Sequence, residues 1–368
     1  MKKIRVMIVE DSDVAREYLR HIISADSRFE VVAAVPSAEE ALRRLSRDHP
    51  DVISMDIRLP GMNGFEATCR IMAERPTPIV VVSASVESED LKISMNALRA
   101  GALAIVEKPA GMGHEDYAAM AGNLCGQLAI MSDVRLVKQR IDRNLDFVPA
   151  AKPPATGGRT GIARDSSAAR PTVASYGLLA IVCSTGGPSA LARLLGDLPE
   201  PFPLPILLVQ HISPAFLEGF VSWLSSACPF TAKIAREGEI PSPGKIYVAP
   251  AERHLEMNAR ALTLGAGECV SGQRPSGSVL FQSLARHQAT VSIGVLLTGM
   301  GEDGADGLLA LKRAGGYTIA EDETTAVVYG MPAAAMKRGA VCESLPLHEI
   351  ARRIRELAAV PPATVRQP

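Results

Sequence analysis

The chain opens with a short apolar run, Ile4-Arg5-Val6-Met7-Ile8-Val9, that stops at Glu10-Asp11-Ser12-Asp13. Apolar positions at helical spacing follow from Val14 to Ala25, with Leu19, Ile22 and Ile23 on one face. The alternation repeats: a strand over Phe29–Val35, a helix over Ala38–Asp48, and a strand over Pro50–Asp56 that ends in a carboxylate. Two more strands are expected, Ile79–Ser83 ending in a hydroxyl and Ala104–Pro109 ending in a lysine before proline. Five strands alternating with helices predict a flavodoxin-like, doubly wound parallel sheet, which presents its functional groups at the carboxyl ends of its strands.

The pattern then changes. Residues 115–143 keep helical character, with Met120, Leu124, Leu128, Met131, Leu136 and Ile141 apolar. Residues 147–175 turn rich in Pro, Gly, Ala, Ser and Thr, and Pro153-Pro154-Ala155-Thr156-Gly157-Gly158 reads as flexible linker. A second alternating series begins with Leu178–Cys183, apolar throughout as a strand buried on both faces would be. It runs into Ser184-Thr185-Gly186-Gly187-Pro188, where Gly-Gly allows a tight turn and Pro188 suits the first position of a helix. A helix over Ser189–Asp197 and a strand over Leu204–Gln210, ending at His211, come next. Then follow a helix over Pro214–Ala227, a strand over Lys245–Pro250, a small hairpin over 254–264 and a helix over Val279–His287. A buried strand, Val291–Leu297, enters the Gly-rich loop Thr298-Gly299-Met300-Gly301-Glu302-Asp303-Gly304, and a helix follows over Ala305–Ala314. The expected division is a first α/β domain over 1–112, a connecting helix and flexible linker over 113–176, and a second, mainly parallel α/β domain over 177–360.

Composition narrows the function classes. The 368 residues suit two or three domains with ample cores. A formal net charge of −1 gives no global field for nucleic acid or an anionic membrane. The six cysteines are scattered with no C-x-x-C or Cys/His ligand spacing, which argues against zinc and fits a reducing cytosol. The first apolar run is too short, and too soon acidic, for a signal peptide, and no run approaches a membrane span. A soluble, cytoplasmic, monomeric protein is expected.

Two sets of strand-end residues carry the candidate chemistry. Glu10, Asp11 and Asp56 would converge at one sheet edge, where three unpaired carboxylates repel. A hard divalent cation with oxygen ligands resolves that conflict, and Mg²⁺ fits. Ser83 and Lys108 reach the same edge and can hold a phosphoryl group while one aspartate attacks phosphorus. Taken singly, each residue is equally an ordinary loop carboxylate or helix cap. In the second half, Ser184, His211 and Asp303 all lie just beyond strand ends. A hydroxyl needs a base, and the base needs a carboxylate to fix its tautomer. The plainer reading leaves Ser184 or Thr185 as a helix cap, His211 as a satisfied sheet-edge histidine and Asp303 as the cap of the helix that follows it. A phosphate-binding turn at Gly186-Gly187 is a further reading, but it leaves His211 and Asp303 unused.

Residues 4 to about 109 resemble a receiver domain of a bacterial response regulator. The resemblance rests on Glu10-Asp11, Met55-Asp56-Ile57-Arg58-Leu59-Pro60-Gly61-Met62-Asn63-Gly64, Ser83-Ala84 and Lys108-Pro109. It implies that Asp56 accepts the phosphoryl group, that Glu10, Asp11 and Asp56 with the Arg58 carbonyl bind Mg²⁺, and that a histidine kinase is the donor. Ile105 stands where receivers often carry Phe or Tyr. Residues 177 to about 357 resemble the catalytic domain of the chemotaxis methylesterase family, CheB. The matching stretches are Ser184-Thr185-Gly186-Gly187-Pro188, Gln210-His211-Ile212, Tyr247-Val248-Ala249-Pro250, Leu297–Ala305 and Tyr329-Gly330-Met331-Pro332.

This second resemblance implies Ser184 as nucleophile, His211 as base, Asp303 as its orienter, and the Thr185 and Met300 amides as oxyanion donors, with no cofactor for the esterase. It implies hydrolysis of glutamyl methyl esters on methyl-accepting chemoreceptors, releasing methanol, and deamidation of receptor glutamines. Val182-Cys183 stand where the family has Gly-Ala, side chains large enough to narrow the approach to Ser184. Arg274-Pro275-Ser276 is family-like, but Ser278 stands where an acidic residue is common. A phosphorylation-regulated binding protein with an inactive hydrolase domain, and an enzyme that is mainly a deamidase, are the two alternatives.

Overall fold

The computed structural model describes residues 2–83, 96–98, 101–109, 117–134 and 176–358. The first sheet is built from β1 (Ile4–Val9), β2 (Phe29–Val35), β3 (Val52–Asp56), β4 (Ile79–Ser83) and β5 (Ala104–Glu107). Its order is β2-β1-β3-β4-β5, and every recorded pairing is parallel. Helices α1 (Asp13–Ala25), α2 (Ala38–Asp48) and α3 (Gly64–Glu74) start at side-chain caps. Ser12, Ser37 and Asn63 accept from the amides of Ala15, Glu40 and Glu66, satisfying donors the helices leave free. Helix α4 (Tyr117–Ser132) buries Leu124, Leu128 and Met131 against this sheet's core. The expected apolar positions Leu136 and Ile141, the linker and Ala84 lie outside the described residues.

The second sheet has seven strands in the order β14 (Glu343–Leu345), β13 (Tyr317–Glu321), β12 (Ser292–Leu296), β6 (Leu178–Cys183), β7 (Ile206–Gln210), β9 (Lys245–Val248) and β8 (Thr231–Ile234), all recorded pairs parallel. Its centre is β6 (Leu178–Cys183), flanked by β7 (Ile206–Gln210) and β12 (Ser292–Leu296). All six β6 residues are buried, as a two-sided apolar run requires. The chain leaves β6 toward β7 on one side and reaches β12 on the other only later. The β6/β12 boundary is therefore the topological switch point, where crevices form at strand carboxyl ends. Helices α5 (Gly187–Gly196), α6 (Pro214–Ala227), α7 (Gly277–His287) and α8 (Ala305–Arg313) follow the expected pattern within a few residues, and β10–β11 (His254–Asn258, Ala261–Gly265) form the expected hairpin.

The sequence pattern passed over β8 (Thr231–Ile234), β13 (Tyr317–Glu321), α9 (Met331–Lys337), β14 (Glu343–Leu345) and α10 (Leu347–Ala358). The strands β8 and β14 are three or four residues long and sit at the sheet's edges, where half-exposed side chains blur any apolar run. The two α/β units touch directly. Ser189 Oγ donates to Leu98 O (2.9 Å), and Ser213 Oγ donates to the Glu107 carboxylate (3.0 Å).

Candidate functional site

In the first sheet the switch point lies between β1 and β3. Glu10 and Asp11 follow β1, and Asp56 ends β3. Their carboxylate oxygens lie within 4.8 Å of one another, with Glu10 and Asp56 buried and Asp11 exposed. Lys108, just past β5, reaches Glu10 Oε2 at 2.7 Å and Asp56 Oδ2 at 3.0 Å. Burial works against its charge, but the two carboxylates outweigh that and hold the lysine's pKa up. Burial, and then the neighbouring Asp56 charge, push the Glu10 carboxyl up despite Lys108. Ser83 is buried at the next strand end, where its carbonyl accepts from the Lys108 amide (2.9 Å). All five expected residues thus meet at one edge. The carboxylate cluster is one a divalent cation would relieve.

In the second sheet the turn after β6 begins with Ser184, whose amide donates to Thr298 O (3.0 Å). Gly186 has φ +80°, a conformation L side chains resist, and Pro188 opens α5. The Ser184 turn therefore exists by backbone design rather than by hydroxyl capping, since no side chain caps α5. His211 follows β7, where its amide donates to Cys183 O (3.0 Å). The Thr298–Gly304 loop after β12 brings Asp303 against the imidazole. His211 Nε2 lies 2.9 Å from Asp303 Oδ2.

Asp303 does not cap the helix that follows it; Gly304 occupies that cap without a side-chain bond. The carboxylate sits instead at the start of α7. It accepts from Ser276 Oγ (2.6 Å), Gly277 N (2.7 Å) and Ser278 N (3.1 Å). Burial would raise its pKa, but the hydrogen bonds and charge of His211, then Ser276 and Gly277, win and lower it to about 2. An ionised carboxylate only accepts, so His211 Nε2 must donate. In the neutral ring the lone pair is then on Nδ1, which is buried and without a partner among the described residues. Ser184, Thr185 and His211 line one cavity of about 320 Å³. Among the described residues no hydrogen bond joins Ser184 Oγ to His211, and the Thr185 and Met300 amides donate to no protein acceptor.

The sequence reading missed the donors around Asp303. His254, buried, braces them: its Nδ1 accepts from Ser276 N (3.2 Å) while Nε2 donates to Glu268 O (2.9 Å). The one available signal was the Arg274-Pro275-Ser276 stretch. Ser278 serves the loop from the other direction, its hydroxyl accepting from Gly304 N (2.8 Å). Val182 and Cys183 do not narrow the approach to Ser184. They pack on opposite faces of the sheet, Val182 against Gly277 and Cys183 against Gln210. The opposite wall of the cavity is the first domain itself, through Leu103, Ile105 and Glu107 on β5 and its approach. Ile105 is thus an apolar contact toward the second domain.

Residues 6–114 match the response regulator receiver domain, and residues 179–354 match the CheB methylesterase family. The class is a receiver joined to an esterase-type output domain. The chain is 55% identical over 97% of its length, and 98% of the relative's, to protein-glutamate methylesterase/protein-glutamine glutaminase 2 of Paramagnetospirillum magneticum. It is 41% identical to the protein of the same activities from Nitrosospira multiformis, with 97% of both chains covered. Among solved structures, the Thermotoga maritima CheB methylesterase catalytic domain shares 36% identity, covers 50% of this chain and 99% of that one, and gives a TM-score of 0.48. The chain belongs to the CheB methylesterase family.

Proposed function

We propose that this chain is a phosphorylation-activated protein-glutamate methylesterase and protein-glutamine glutaminase that acts on chemoreceptors in the cytoplasm. Its parts are a receiver over 1–112, a connector over 113–176 and the catalytic domain over 177–360. The observation that carries the reading is the His211–Asp303 pair, with Nδ1 left as acceptor in the cavity that Ser184 lines. Ser184 Oγ attacks the ester carbonyl and passes its proton to Nδ1. The buried Asp303 anion stabilises the imidazolium that forms. The Thr185 and Met300 amides receive the oxyanion. His211 returns the proton to the leaving methanol, and water then releases the glutamate by the same path. For a glutamine substrate the leaving group is ammonia, a poorer one, so that protonation matters more.

Asp56 accepts phosphoryl from a histidine kinase. Glu10, Asp11 and Asp56 would hold Mg²⁺, which would offset charge on the phosphoryl oxygens. Ser83 and Lys108 hold the same oxygens. The receiver wall at Ile105 and Glu107 covers the cavity, and added charge at Asp56 weakens that packing. Methanol release from a methylated receptor signalling domain tests the reading. Wild type should release methanol, and Ser184→Ala should not. Equal release from the two would overturn it, as would none from wild type, the outcome for a binding protein.

A further inference from the structure

We propose that Gln210 is a positioning residue that locks the Ser184 turn and His211 into one fixed relation. This rests on the hydrolase reading above. The two reacting side chains come from different strands, β6 and β7. The ladder between those strands ends at the Cys183–Gln210 pair, with one last backbone bond from His211 N to Cys183 O. Beyond it the chains turn apart. Gln210 spans the gap. Its Nε2 donates to Ser184 O (2.9 Å) and to His211 O (2.9 Å). Among the described residues no other side chain bonds both backbones.

The amide is itself held. Gln210 is 4% exposed, and its Oε1 accepts from Cys183 Sγ at 3.1 Å. Burial keeps that thiol protonated, and so a donor, at any ordinary pH. A flipped amide would set Oε1 against two carbonyl oxygens and lose all three bonds. The glycine of the turn makes room for this arrangement. A Cβ on Gly187 would stand 2.2 Å from Gln210 Oε1 and 3.0 Å from Cys183 Sγ. Thus Gly187, Cys183 and Gln210 form one unit directly beneath the nucleophile. A displacement of an ångström between a nucleophile and its base is enough to cost about 10²-fold in rate.

The test uses the full chain treated with beryllofluoride and two readouts. One is methanol release, resolved into kcat and KM. The other is the rate at which a fluorophosphonate labels Ser184, which needs the nucleophile and base but no receptor. Gln210→Met keeps the length and removes every bond; Gln210→Glu keeps an acceptor for Cys183 and removes both donations. Each should lower kcat and labelling by about 10²-fold while KM changes less than about twofold. Cys183→Ala should lower both by about threefold, and Cys183→Ser, which restores a donor, should recover them. A folded Gln210→Met that labels and turns over within threefold of wild type overturns the proposal, as does a loss confined to KM. Where Gln210→Met does not fold, the cysteine pair decides: Ala and Ser variants both equal to wild type overturn it. Failure of wild type to label at Ser184 is a distinct result, which sinks the hydrolase reading and this proposal with it.

Discussion

The two domains share one plan, a parallel sheet with its chemistry at the carboxyl ends of strands beside a switch point, yet their carboxylates meet opposite fates. In the receiver, Glu10, Asp11 and Asp56 crowd together with Lys108 as their neutralising cation, and Glu10 is pushed up in pKa. In the catalytic domain, the single carboxylate of Asp303 takes four donors and is driven down to about 2. The first site sets three carboxylates against one lysine, a charge that a divalent cation would offset. The second already surrounds its one buried carboxylate with donors. Such a contrast suits a switch beside a machine. The switch changes state when its charge changes, while the machine must hold its geometry through the reaction.

The largest effect is expected from Asp303→Asn. The amide keeps the shape but offers Nε2 the wrong partner, so kcat for methanol release should fall about 10³–10⁴-fold with the fold intact. A fall of less than tenfold would show that Asp303 only supports structure. Next is the response to phosphorylation. Lys108→Ala removes the cation that bridges Glu10 and Asp56, and the rise in activity on adding beryllofluoride and Mg²⁺ should drop to within about twofold of none.

Acid titration comes third. The Asp303 carboxyl titrates at about 2 folded against 3.8 as an ordinary aspartate, so its contribution is full above pH 4 and is lost as the pH falls toward 2. That is on the order of 2 kcal/mol, visible as a steeper loss of stability in that window for wild type than for Asp303→Asn. The smallest effect is at the domain contact. Ser213→Ala deletes its hydrogen bond to Glu107, worth about 1 kcal/mol, and should raise the activity of the unphosphorylated protein by at most about fivefold.

Much of this was legible in the sequence because parallel strands advertise themselves. The runs Phe29–Val35 and Ile79–Ser83, and the helices Ala38–Asp48 and Pro214–Ala227, coincide with the observed elements. The strand-end placement of Ser184, His211 and Asp303 was legible because each follows such a run. What was illegible depends on contacts between distant segments. No local pattern says that Ser276, Gly277 and Ser278 wrap Asp303, or that Gln210 turns its side chain back on the Ser184 turn. The tautomer of His211 was equally hidden, since it is fixed by those donors. Val182 and Cys183 misled for the same reason: their bulk was visible, but not the opposite faces onto which they point.

Under the proposed function, the state of the acidic receiver cluster governs the site of Ser184, His211 and Asp303. The most direct measurement is the rate of methanol release from a methylated receptor signalling domain, on the same protein sample, before and after adding beryllofluoride with Mg²⁺. A clear rise in kcat is expected, one that Lys108→Ala does not show. Equal rates before and after would contradict it, and would leave the two domains as neighbours without coupling.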